Sequence, residues 1–167
     1  MQKESGERLW AAFAGESQAH LKYLVFAEKA EKEGRHDVAR LFRAASYSEE
    51  LHARNHLRAL DGVQSTADNL EQAIDGETYE VEEMYPSFIG VADAQGESKA
   101  VRTMEWALET EKVHAALFSR AQQAVQAGND IEQFDLWICP VCGFAMEGEP
   151  PDTCPICSAK RSTFRRF

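Results

Sequence analysis

Residues 49–52 read Glu-Glu-Leu-His and residues 111–114 read Glu-Lys-Val-His, two Glu-x-x-His tetrads 62 positions apart. Moving the chain onto itself by 62 also lays Tyr23 on Tyr85, Phe26 on Phe88, Ala30 on Ala92, Gly34 on Gly96 and Arg40 on Arg102. Ala45 then falls on Ala107, Ala53 on Ala115, Arg58 on Arg120 and Ala59 on Ala121. With the tetrads, 11 of the 37 positions from 23 to 59 are identical, where ordinary residue usage gives about two or three. The chain therefore contains an internal duplication, and a candidate metal-binding tetrad is carried in both copies.

Around the tetrads, apolar residues recur at helical spacing and Gly and Pro are scarce, which predicts four long helices over residues 1–128. The first runs from Ser5 to Glu33 and stops at Gly34. The second runs from His36 to Leu60, ahead of Asp61-Gly62. The third runs from Ala67 to near Gly96 with Thr66 as its cap, and the fourth from Glu97 or Ser98 to Ala127. Helices of roughly 25–30 residues are about 40 Å long, and four of matched length read as a bundle. Pro86 interrupts the third. Gly15-Glu16 and Gly76-Glu77 correspond at an offset of 61, whereas everything after Tyr23 corresponds at 62. One residue is thus inserted between Glu77 and Tyr85, and a helix absorbs an extra residue as a π-bulge. Irregular helix geometry is predicted within 79–86.

On a helix, positions i and i+3 share a face, so Glu49 with His52 and Glu111 with His114 each present a carboxylate beside an imidazole. Glu16 on helix one, with Glu77 and Glu80 on helix three, complete a constellation expected inside the bundle. Carboxylates cannot stay ionised in an apolar core without cations, and mixed Glu and His ligation favours iron or manganese over calcium or magnesium. One Glu from each of two helices plus Glu-x-x-His from each of two others is the general description of a ferritin-like di-iron bundle. His20, His36 and His56 have no histidine counterparts in the duplication and read as surface or packing residues, and Glu82 and Glu83 as solvated. Tyr23 and Tyr85 lie about two turns beyond Glu16 and Glu77.

After the linker 129–136 the composition changes. All four cysteines fall in Cys139-Pro-Val-Cys142 and Cys154-Pro-Ile-Cys157. Paired Cys-x-x-Cys gives a four-thiolate site that suits structural zinc or a single iron, and so small a domain needs the metal for stability. Gly143 follows the first knuckle and Ser158 stands where a glycine is expected after the second. Trp137, Phe144 and Phe164 can shield the centre. The formal net charge of −10 argues against nucleic acid or an anionic membrane surface as partner. Without a spanning or signal-like apolar stretch, a cytoplasmic protein is expected.

The segments AFAGESQAH, SEELHARNH, GETYEVEEMYPSF, ETEKVHAALF and ICPVCGFAMEGEPPDTCPICSAKRSTF, in this order, resemble the rubrerythrins over essentially the whole chain. The resemblance implies an all-α ferritin-like four-helix bundle over 1–135 and a rubredoxin-like four-cysteine iron domain over 136–167. It implies a non-haem di-iron peroxidase that reduces hydrogen peroxide to water and protects against oxidative stress. Its electrons would come from NAD(P)H through a separate reductase or a rubredoxin, by way of the iron held by Cys139, Cys142, Cys154 and Cys157. Glu49 and Glu111 would bridge two irons. Glu77 and His114 would complete one, and Glu16 with Glu80 or His52 the other. Glu80 and His52 would exchange as the redox state changes, and Tyr23 and Tyr85 match tyrosines beside the irons.

About 14 residues, roughly 20 Å of helix, separate His114 from Gly128, which disfavours electron transfer within one chain. A head-to-tail homodimer is therefore expected. The loop from Asp61 to Thr66 leaves open an exchange of helix pairs between chains. The competing functions are iron oxidation without reductive turnover, and a zinc-ribbon module that docks partners.

Overall fold

The computed structural model describes all 167 residues, and its backbone groups into two compact units, Met1–Gln64 and Ser65–Phe167. The boundary expected at 135/136 lies inside the second.

The first unit is a helical hairpin of α1 (Lys3–Lys32) and α2 (His36–Ala59). Small buried residues, Ala27 and Ala30 on α1 and Ala39 on α2, form its core with Phe42 packed against them. Ser46, 1% exposed, ties the helices together. Its hydroxyl donates to the His20 carbonyl at 2.9 Å, and the His20 Nδ1 lies 3.0 Å from the Ser46 carbonyl oxygen. A ring nitrogen facing a carbonyl must carry the proton, so His20 serves as a packing residue. His36 pairs with Glu31 at the surface.

The turn between α1 and α2 takes three residues because Gly34, at φ 70°, adopts the left-handed conformation. That lets the Arg35 N–H donate to the Ala30 carbonyl and the Gly34 N–H to Glu31, satisfying carbonyls the helix leaves unpaired. Gly96 does the same in the second copy, with Glu97 N–H donating to Ala92. The duplication thus preserves both helix ends. It also preserves a groove beside each turn. One, of about 270 Å³, is lined in part by Phe26, Arg35 and Phe42. The other, of about 310 Å³, is lined by Phe88, Glu97 and Met104, the same positions shifted by 62.

The second unit begins with α3 (Thr66–Tyr79), whose cap is Ser65, not Thr66: the Ser65 hydroxyl accepts from the Asp68 N–H at 3.2 Å. Thr66 is already helical. The predicted irregularity is a π turn over Glu80–Met84, in which the Tyr85 N–H reaches back to the Glu80 carbonyl. The helix resumes as α4 (Tyr85–Ala94), with Pro86 in its first turn. A missing donor is tolerated there because the π turn has already shifted the hydrogen-bond ladder. Glu82 and Glu83 are exposed, as expected. The α5 helix (Ser98–Gln126) packs against α3 and α4.

Residues 136–167 form a three-stranded antiparallel sheet ordered β2 (Ala145–Glu147), β1 (Leu136–Ile138), β3 (Arg165–Arg166). Trp137 pairs with Met146 on one side and Arg166 on the other. The core beneath is Cys139, Cys154 and Phe164 with Trp137 and Phe144 around them. No helix is long and apolar enough to cross a membrane.

Candidate metal centres

Three groups of metal-ligating side chains converge, and all are predicted residues. In the first unit, Glu16 from α1 meets Glu49 and His52 from α2, with one ligand atom of each within 4.8 Å of the others. The His52 Nδ1 is 2.9 Å from a Glu49 oxygen. In the second unit, Glu77 from α3 meets Glu111 and His114 from α5 within the same limit. The His114 Nδ1 lies 2.7 Å from Glu111 and 3.5 Å from Glu77. The i, i+3 spacing does in both helices what helix geometry requires. Glu80, on the π turn, sits outside the triad but close enough for its charge to be felt there. The interior burial expected for these groups is not reached: the His52 side chain is 52% exposed and that of His114 33%. Two helices cover a ligand face on one side only.

Electrostatics mark the second triad as short of positive charge. Burial, then the neighbouring Glu111 charge and its hydrogen bond, push the Glu77 carboxyl up to about 7, with His114 opposing and Glu80 adding to the rise. Glu80 is raised by burial and by Glu111. Burial, Glu80, Glu111 and Glu77 raise the Tyr85 phenol, which keeps its proton. Tyr23, its duplicate, instead packs on Phe26 and Phe42 with ring centroids 6.3 and 6.0 Å away.

A carboxyl raised in the fold binds more protons folded than unfolded between its ordinary 4.5 and about 7. The metal-free protein therefore loses stability as pH rises through that window. A divalent cation must displace the Glu77 proton, so metal affinity falls as pH drops below about 7. Calorimetric titration in buffers of different ionisation enthalpy should detect proton release at pH 6 that fades by pH 8.5. The same uptake enthalpy in every buffer at pH 6 would contradict the raised carboxyl.

The four cysteines are free thiols whose sulfurs lie within 4.8 Å of one another. Cys139 Sγ is 3.5 Å from Cys157 Sγ, and Cys142 Sγ 3.6 Å from Cys154 Sγ. A disulfide needs about 2.05 Å, whereas the edge of a tetrahedron of thiolates at roughly 2.3 Å from a metal is about 3.8 Å. Burial pushes the Cys142 and Cys157 thiols up. Burial also opposes ionisation of Cys139, but N–H donation from Cys142 and Val141 outweighs it and the thiol is lowered. The knuckles match one another: Gly143 N–H donates to the Cys139 carbonyl, and Ser158 N–H to that of Cys154. Gly143 has φ 85° and Ser158 φ 62°. A serine there costs about 1 kcal/mol in left-handed strain. Ser158→Gly is expected to raise the unfolding free energy of the cysteine domain, read by denaturant titration, by up to that amount less the added freedom of the unfolded chain; a loss of stability would show that the hydroxyl matters.

The cysteine domain does not extend beyond the end of α5. Arg120 on α5 pairs with Glu147 on β2 at 2.7 Å and stacks over Phe134 at 4.4 Å. Pro155 and Ile156 of the second knuckle line a cavity of about 510 Å³ with Pro86, Trp106, Leu108 and Glu109. The knuckle therefore lies beside the turn preceding Glu111. The separation of the two centres read along the helix does not apply, because the chain doubles back through tertiary contacts with no local signature.

Oxygen and nitrogen donors in the triads fit iron, and four sulfurs at these spacings fit a rubredoxin-like iron. The buried Trp137 indole N–H, which has no acceptor in the protein, suits a centre carrying negative charge.

Comparison with known proteins agrees. The family profile described as rubrerythrin matches residues 7–122, and that of the rubrerythrin rubredoxin-like domain matches 137–165. Rubrerythrin-2 of Clostridium acetobutylicum is 40% identical over 95% of this chain and 94% of its own. Nigerythrin of Nitratidesulfovibrio vulgaris is 36% identical over 96% and 85%. The solved structure of fully reduced, all-ferrous nigerythrin matches with a TM-score of 0.56 and 34% identity, covering 97% of this chain and 86% of that one. The two family profiles thus match in succession along this chain, its relatives are similar along almost their whole length, and the chain belongs to the rubrerythrin family.

Proposed function

We propose that the protein is a hydrogen peroxide reductase, in which Glu16, Glu49, His52, Glu77, Glu80, Glu111 and His114 hold two irons and the four cysteines hold a third. The observation that carries this reading is the pairing, in one chain, of two carboxylate–histidine triads with a four-thiol cluster. The balance is hydrogen peroxide plus two electrons and two protons to two waters. Bound iron supplies the two electrons that break the O–O bond. Electrons arrive singly through the four-cysteine centre, ultimately from NAD(P)H through a separate reductase or rubredoxin.

The protein's own groups do the rest. Glu49 and Glu111 would hold both irons, Glu77 and His114 would hold one of them, and Glu16 with Glu80 or His52 the other. Glu80 rides on the π turn, where the first copy of the duplication has no carboxylate at the matching position, Gln18. That asymmetry makes Glu80 and His52 the exchangeable pair: a carboxylate suits the more positive, oxidised state and a neutral imidazole the reduced one. Tyr85, held protonated by burial and then by the surrounding carboxylates, donates a hydrogen bond to a peroxide oxygen. Tyr23 is assigned the same role by its place in the duplication, its ring steadied by Phe42. The position of Pro155 and Ile156 beside α5 favours electron delivery from a chain's own cysteine centre; a head-to-tail dimer would offer a second route.

The test is stopped-flow reoxidation of the reduced, iron-loaded protein. Peroxide should restore the visible absorbance of the four-cysteine iron much faster than dioxygen does. Equal rates would overturn peroxidase activity in favour of iron oxidation, and zinc alone at the cysteines would favour a docking module. Glu80→Ala should slow the peroxide reaction by at least about 10-fold while leaving the four-cysteine spectrum unchanged.

A further inference from the structure

We infer that the outer face of the α1–α2 hairpin is a docking site for a separate rubredoxin-like electron carrier, and that it is the duplicated counterpart of the face on which the chain's own cysteine domain rests. The inference rests on the reading above, in which a four-cysteine iron feeds the carboxylate–histidine centres one electron at a time.

The second unit displays what such a domain needs from a helix. Arg120 on α5 reaches Glu147 at 2.7 Å and lies over the Phe134 ring. Earlier on α5, Trp106 and Glu109, with Pro86 and Ile89 of α4, face Pro155 and Ile156 of the second knuckle across their shared cavity. Glu109 stands two residues before Glu111 and Arg120 nine after it, about 160° and 180° around the helix. The cysteine domain therefore rests on the side of α5 turned away from the ligands. A cation holds it at one end and an apolar surface meets it at the other.

The 62-residue shift carries this footprint onto the first hairpin. Arg120 falls on Arg58, Pro86 on Leu24, Trp106 on Ala44 and Glu109 on Tyr47. There the same positions are uncovered: Leu24, Ala44 and Tyr47 are exposed. Arg58 pairs with no carboxylate and reaches only the Asn55 amide oxygen, at 3.4 Å. Tyr47 and Arg58 stand to Glu49 as Glu109 and Arg120 stand to Glu111, so they too lie on the side of α2 away from the ligands.

The differences between the two faces identify the occupant. On α1, Leu21, Leu24 and Val25 form one exposed stripe at i, i+3 and i+4. The second copy has Glu83 and Ser87 where Leu21 and Val25 stand, and both are exposed. The open face is thus the more apolar of the two. A tethered domain docks at a high effective concentration, whereas a free carrier must gain its occupancy from contact alone. An apolar patch with an unpaired cation about 16 Å along the helix fits an apolar knuckle and a carboxylate, the pair that Ile156 and Glu147 present on the chain's own domain. That domain is committed to α5, which leaves the counterpart face to a separate carrier. Each encounter oxidises the carrier's iron from ferrous to ferric and delivers one electron. Two encounters supply the two electrons that, with two protons, convert one hydrogen peroxide to two waters.

Zinc-loaded rubredoxin, which docks without transferring electrons, is the probe. Titrated calorimetrically into the full-length, iron-loaded protein, it should bind at low salt and more weakly as salt rises. Arg58→Glu should raise its Kd by at least about 10-fold at low salt, and Leu24→Arg, at the apolar end, should do the same. Oxidative footprinting of the complex should shield Leu24 and Tyr47. No binding to the parent, equal affinity for both variants, or shielding confined to Val141 and its neighbours on the cysteine domain overturns the inference. So does a parent that ignores rubredoxin but halves its mass in sedimentation on Leu24→Arg, which assigns the face to a second copy. The function proposed above is tested apart from the site. Docking without faster peroxide consumption from reduced rubredoxin upholds the site and refutes peroxide reduction. Rapid consumption from a chemical reductant without docking refutes the site and upholds peroxide reduction.

Discussion

Glu111→Ala is expected to cost the proposed peroxide turnover at least about 100-fold yet to leave the metal-free protein more stable at alkaline pH. The two effects share one cause. Glu111 lies against His114 at 2.7 Å and is the main charged neighbour raising Glu77. Its carboxylate is needed when cations are present and is a source of repulsion when they are not. Removing a ligand costs more than the 10- to 100-fold in affinity typical of outer partners, so the carboxylate-bound iron should be lost and turnover should fall by at least about 100-fold. Without Glu111 the Glu77 carboxyl relaxes toward its ordinary value, and the fall in apo stability between pH 4.5 and about 7 flattens. Urea denaturation of the metal-free variant at pH 8, set beside iron content, measures both. A variant that is less stable than the parent would refute the electrostatic account. Ligand positions in this fold thus trade folding stability for metal binding, as functional sites often do.

Cys154→Ser is expected to have the largest structural effect. Cys154 is 2% exposed, and its backbone N–H donates to the Ala159 carbonyl at 2.7 Å. Its sulfur faces Cys142 at 3.6 Å. Residues 136–167 bury little besides the cysteines, Phe164 and the surrounding aromatics. Metal binding at a four-cysteine site is worth about 10 kcal/mol or more in small domains, which exceeds what this core can supply alone. Loss of one thiolate should therefore unfold the domain while the helices persist. Hydrogen exchange would show residues 136–167 unprotected and α5 protected up to the neighbourhood of Arg120, whose partner Glu147 is released. Full protection of β1 and β2 in the iron-free variant would show that the sheet stands without its metal.

How legible the protein was in its sequence depended on whether a feature is local. The tetrads, the knuckles and the paired glycine turns are local patterns, and helix geometry converts them directly into converging ligands. The π turn was legible because a duplication is its own ruler, and one residue out of step between Glu77 and Tyr85 has few places to go. Ser65 as a cap was missed by one position, since Ser65 and Thr66 offer the same hydroxyl and only the backbone angle separates them. Tyr23 and Tyr85 looked alike and are not. Phe42 gives Tyr23 an aromatic neighbour, whereas Phe42 is matched by Met104 and the carboxylates take over around Tyr85. The folding back of the cysteine domain depends on Arg120 finding Glu147 and Phe134, and no pattern of spacing announces such a meeting.

The π turn over Glu80–Met84 also acts as a phase corrector. One added residue would rotate everything after it by about 100° on an ideal α-helix, turning Phe88 and Ala92 away from the faces that Phe26 and Ala30 occupy in the first copy. A turn wound to hold the additional residue absorbs that rotation. The second hairpin gains a carboxylate at Glu80 while its later positions stay in step with those of the first. Deleting any one residue from this turn is therefore a different operation from replacing Glu80: replacement removes one carboxylate and keeps the π turn, whereas deletion returns the segment to the regular α-helical pitch.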